Sequence, residues 1–280
     1  MTHQFIQVGD INIHYELADY TEPWRSEEPE TFLLHSGYCR NMEFWRTWVP
    51  LLGLKYRVLR VDPRGWGLTS KPKEGDPITL DMMAADMIGL MDALKIKKVH
   101  WVGDSTGGVV GLKAAHDYPD RLSSLSVFNS ASSMATETRS IYALDMPDQA
   151  QAIMKYGVED WSWRTIHYRC TPEHAPPGLH RWIAKEMGKT PDYIAAAGFR
   201  HFSTVDLIDL IPNIKTPTLL ILGTKSMESR YRKMEHMRDT MPNAKLLKVD
   251  GWEQGLHMVE PEKMVGEIRK FLDERVYAKA

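Results

Sequence analysis

One stretch constrains this chain more than any other: residues 99–115, "VHWVGDSTGGVVGLKAA". An apolar strand pattern runs straight into Gly103-Asp104-Ser105-Thr106-Gly107-Gly108, and a helix pattern starts at once. So sharp a strand-to-helix corner crowds the backbone, which is why glycines flank the serine. The following helix start offers free N–H groups and the positive end of a dipole. Ser105 is therefore a candidate nucleophile, and Thr106 N–H a candidate donor to developing negative charge. A serine that merely caps the helix is the competing explanation.

The surrounding pattern fits an α/β architecture. "FIQVGDINIHYEL" gives two strands joined at Gly9-Asp10, a hairpin signal. "ETFLLHSGY", "KYRVLRVDP", "KVHWVGDS", "SSLSVFNS", "IKTPTLLILG" and "AKLLKVDG" follow as strands. Between several of them lie helical stretches such as "LDMMAADMIGLMDAL" and "PEKMVGEIRKFLDERV". That alternation predicts a mostly parallel central sheet flanked by helices. It breaks over residues 135–204, where aromatics, histidines and "TPEHAPPG" give short helices and no strand. The expected organisation is a core of residues 1–134 and 205–280 with a helical cap at 135–204.

Charge and cysteine content narrow the partners. A net charge of −2 without a dense basic run argues against nucleic acid. Cys39 and Cys170 match neither a zinc spacing nor a disulfide framework and read as free thiols in a reducing compartment; no metal and no cofactor is expected. The opening residues carry no signal-peptide pattern, and no apolar run approaches the roughly 18 residues that would span a bilayer. A cytoplasmic monomer or homodimer with no membrane partner is the expectation.

A nucleophilic serine needs a base, and His257 lies late in the chain, after the last predicted strand and before the last helix. A second oxyanion donor should come from "LLHSGYC", where Gly37 is the first choice and Ser36 the alternative.

The chain resembles the α/β-hydrolase superfamily over nearly its whole length, with a distant similarity to lactonases of the zearalenone-hydrolase type. The matching pieces are "LLHSG", "DPRGWGLTSKP", "GDSTGG", "IKTPTLLILG" and the late histidine. The resemblance implies a helical cap over the site, Ser105 as nucleophile and His257 as base. It also implies a triad acid, and here the pattern departs. The usual aspartate position after "LLILG" holds Ser226, and the alternative position after "SVF" holds Asn129. Glu228 is the nearest carboxylate in the first loop and becomes the first choice for the acid, with Asn129 the alternative. The histidine loop is irregular as well. Relatives show a Glu about five residues after the histidine, whereas Glu260 follows His257 by three.

The insert's aromatics and the 16 methionines predict an apolar, adaptable pocket. Tyr38, Trp161 and Trp163 are the candidate substrate contacts, although Trp161 and Trp163 cannot share one face of a regular helix. The expected activity is that of a serine hydrolase acting on an ester or lactone of a mid-sized apolar molecule. A cofactor-independent oxygenase or C–C bond-cleaving enzyme and a ligand receptor with little turnover are the alternatives.

Overall fold

The computed structural model describes residues 3–279. Eight strands form one sheet: β1 (Gln4–Val8), β2 (Ile11–Ala18), β3 (Thr31–His35), β4 (Arg57–Val61), β5 (Val99–Asp104), β6 (Leu122–Phe128), β7 (Thr218–Gly223) and β8 (Ala244–Val249). Their order is β1-β2-β4-β3-β5-β6-β7-β8. β2 runs antiparallel to both neighbours, and every other adjacent pair is parallel. The hairpin signal is realised in the register Val8↔Ile11, with Gly9 at φ 52 in the turn.

The helices are α1 (Trp48–Leu52), α2 (Leu80–Ala93), α3 (Thr106–Asp117), α4 (Thr136–Ala143), α5 (Gln149–Arg164), α6 (Leu179–Met187), α7 (Asp192–Phe202), α8 (Glu228–Thr240), α9 (Leu256–Val259) and α10 (Pro261–Arg275). β3, β5 and β7 are buried at every residue, because both faces of the sheet are covered. One core unites Met83, Met87, Leu112, Met234 and Met237 from α2, α3 and α8. The opposite core gathers Trp48, Leu52, Met264, Ile268 and Phe271 from α1 and α10. Among the described residues no helix is long and apolar enough to cross a membrane.

The segment between β6 and β7 carries α4 to α7. It leaves and returns at one neck, where Ser133 bridges Asp206 and Leu207 N–H donates to the Ser132 carbonyl. Gly157, at φ 74 and ψ 157, breaks α5 into two pieces, and Asp192 accepts the Val158 N–H at 2.9 Å to restart the second.

This insert is stitched to the loop after β3 at three positions within four residues. Tyr38 OH donates to the Ala195 carbonyl, Thr190 Oγ1 donates to the Cys39 carbonyl at 3.4 Å, and Asn41 Nδ2 donates to Glu186 at 2.7 Å.

Candidate active site

Ser105 sits on the turn between β5 and α3 at φ 51 and ψ −118, a strained conformation for a residue with a side chain. Its own N–H is spent on the Phe128 carbonyl at 2.9 Å, and its hydroxyl does not cap α3. The crowding inferred from the glycines is real. A Cβ at Gly107 would lie 2.2 Å from the His35 carbonyl oxygen. Gly37 packs on the serine itself, since a Cβ there would lie 3.3 Å from Ser105 Cβ. Thr106 opens α3, so its N–H has no carbonyl one turn back. The structure thus brings Ser105, Thr106 and Gly37 together.

It gives His257 no hydrogen bond to Ser105 and no place in the lining of the cavity that Ser105 opens on. His257 is 1% exposed, its ring packed against Trp45 at 4.7 Å and Phe128 at 5.9 Å between centroids. Neither ring nitrogen has a hydrogen-bond partner, and Nδ1 stands 3.5 Å from Asp104 Oδ1. Burial pulls its pKa down to about 4, so the ring is neutral. The residue of this loop that shares Ser105's cavity is Gln254, whose carbonyl is held by Thr171 N–H at 3.2 Å and Thr171 Oγ1 at 3.3 Å. The short spacing from His257 to Glu260 is the sequence signal that this loop is irregular.

The acid position is likewise corrected. Glu228 begins α8 with its side chain 70% exposed and paired with Arg232 at 2.7 Å, away from the cavity. Asn129, at φ 50, does line the cavity. Its Oδ1 accepts from Gly223 N–H at 3.1 Å and Ser226 Oγ at 3.5 Å. Both places where an acid was sought therefore hold neutral groups, and those groups bond to each other.

Ser105 opens on two adjoining hollows of about 90 and 40 Å³ that share Thr106, Met134, Tyr142, Phe202 and Gln254. Tyr38 lines the smaller one. Trp161 is fully buried behind it, its Nε1 donating to the Tyr142 carbonyl at 2.8 Å, and forms no part of the wall. Trp163 is 43% exposed under Arg181, on the outside of the insert. The cavity is mostly apolar but carries cations the sequence did not lead one to expect. Arg40 and Arg169 stand in the wall of the smaller hollow and Arg230 and Lys233 in that of the larger, with no acidic side chain in either wall. The sequence reading missed all four, because distant cations converge only in the fold.

A family model for the alpha/beta hydrolase fold matches residues 30–167. The putative carbamate hydrolase RutD of Stutzerimonas stutzeri is 29% identical over 246 residues, covering 84% of this chain and 86% of that protein. A fluoroacetate dehalogenase of Burkholderia is 34% identical over 130 residues, 45% of this chain and 40% of its own length. Among solved structures, the enol-lactonase from Burkholderia xenovorans superposes with a TM-score of 0.85 at 22% identity, covering 96% of this chain and 100% of its own. A thermophilic esterase from Thermogutta terrifontis gives 0.82 at 23% identity, covering 99% and 100%. At these identities the two structures establish likeness of fold.

Proposed function

We propose that this chain, which has the alpha/beta hydrolase fold, hydrolyses an ester or lactone of a small molecule held against Ser105. The observation that carries this is the strained Ser105 placed beside Gly37 and Thr106 on a cavity wall. Attack makes the carbonyl carbon tetrahedral and puts negative charge on its oxygen. The Gly37 and Thr106 N–H groups would meet that charge without reorganising. The hydrolytic names of the relatives agree with this assignment.

The proton route sets the expected rate. Gln254 cannot accept the Ser105 proton as an imidazole would, because an amide has no useful basicity. It can hold and aim a water. The Oγ–acyl bond then forms as the acyl–alkoxy bond breaks, with the serine proton relayed through that water to the departing alkoxide. A second water would release the acid and return the proton to Ser105. Without a general base, such a site retains roughly 10³–10⁴-fold acceleration over water from oxyanion stabilisation and binding. Activated esters and strained lactones are the substrates that rate can serve.

Gln254 also favours a second assignment, a ligand receptor with negligible turnover. The same experiment decides between them. A panel of p-nitrophenyl esters and small lactones is assayed with the wild type and Ser105→Ala. Hydrolysis that disappears in the variant upholds the hydrolase; equal rates in both, or saturable binding without product, overturn it. The oxygenase and C–C cleavage alternative needs a base facing its substrate, and the amide of Gln254 lends it no support.

A further inference from the structure

Arg169 is a buried cation without a counter-charge. It follows α5 in the insert and is 4% exposed. Its guanidinium carbon lies 4.3 Å from the Trp161 ring centroid and 4.8 Å from that of Tyr142. One nitrogen, Nη2, donates to Thr165 Oγ1 at 3.0 Å, while Nε has no partner. Among the described residues no carboxylate forms an ion pair with it. Asp104 is committed to Arg40, and the titratable groups that act on Arg169 are Tyr142, Arg40, Cys39 and Tyr38, none of them a carboxylate. An arginine stays protonated in such a place, so its isolation carries a desolvation cost that an incoming anion would offset.

We propose that the substrate carries a carboxylate, and that Arg169 binds it while the reacting carbonyl sits at Ser105. Both side chains belong to the wall of the same 40 Å³ hollow, so few bonds separate the two ends of the ligand. The rings of Trp161 and Tyr142 fix the guanidinium plane and leave its N–H edge for the anion. Arg40, already neutralised by Asp104, serves as flanking wall. The placement of the carbonyl rests on the hydrolase assignment above; the anion site does not.

Binding and turnover are therefore measured separately. Calorimetry compares glutarate with its neutral isostere glutaramide, using the wild type, Arg169→Met and Arg169→Lys, each checked for an unchanged melting temperature. Glutarate should bind the wild type about tenfold or more tightly than glutaramide. Arg169→Met should abolish that preference and Arg169→Lys should keep part of it. Equal affinity for the two ligands in the wild type overturns the proposal. A preference that persists in Arg169→Met moves the anion to the Arg230 and Lys233 end and overturns the assignment to Arg169. In parallel, hydrolysis of monoethyl glutarate is compared with that of ethyl glutaramate. Glutarate binding without any ester cleavage upholds the anion site and sinks the hydrolase assignment alone.

Discussion

The imidazole of His257 stands 3.5 Å from the carboxylate of Asp104, the residue immediately before Ser105, yet neither of its nitrogens bonds to the serine. Gln254, three positions earlier, is the residue of this loop that lines the hollow with Ser105. His257→Asn should therefore leave ester turnover within a factor of about three, because no proton passes through that ring. It should cost stability on the order of 1–2 kcal/mol by disturbing a buried ring contact. Turnover and thermal melting measured together check this. A thousandfold fall in kcat with normal folding would return His257 to the role of base.

Gln254 and Asn129 line the same hollow as Ser105. Gln254→His combined with Asn129→Asp should raise ester hydrolysis by about 10²-fold or more, the usual contribution of a positioned general base. The same variant should gain covalent labelling of Ser105 by a fluorophosphonate, and Ser105→Ala in that background should remove both gains. No increase in either readout would mean that the serine hydroxyl is not presented to ligand.

Glu228 illustrates how close in sequence differs from close in space. Its carboxylate is solvated and shared with Arg232 one turn along α8. Glu228→Gln should change neither turnover nor stability by more than about 0.5 kcal/mol. A strong loss of activity would show that α8 moves inward during catalysis.

Two buried histidines make the fold sensitive to acid. Burial holds both His35 and His257 at a pKa of about 4, below the ordinary 6.5. Between pH 6.5 and 4 the unfolded chain consequently binds more protons than the native one. Their contribution is fully present above that window and is lost as pH falls through it, each on the order of 3 kcal/mol. Glu253, whose carboxyl burial pushes upward, works in the opposite direction and offsets part of the loss. Melting temperature should drop steadily from pH 7 to 4.5, and the double variant His35→Asn, His257→Asn should flatten that profile. An unchanged slope in the double variant would assign the acid lability to other groups.

Strand and helix identities were legible because burial on both faces of a parallel sheet leaves long apolar runs. The corner at Ser105 was legible because backbone crowding demands glycine at fixed offsets. Gly37 could be named for the same reason: only a residue without a side chain can lie against the elbow. The base position was harder, since one imidazole in a late loop satisfied the order of the motif while the register of that loop was shifted. The spacing to Glu260 carried the warning, but only the fold shows that Gln254 and not His257 lines the cavity. Arg169 could not be read at all. Its meaning lies in the absence of an acid around it, a property of three-dimensional neighbours rather than of any string of residues.

The bonds from Tyr38, Cys39 and Asn41 to α6, α7 and the turn between them have a mechanical consequence. Thr171 clasps the opposite rim in the same way. A lid that swung outward as a rigid flap would drag on both banks of the cleft at once, pulling the Gly37 amide and the Gln254 side chain out of alignment. Opening of the insert and alignment of the residues beneath it would therefore be coupled through these bonds.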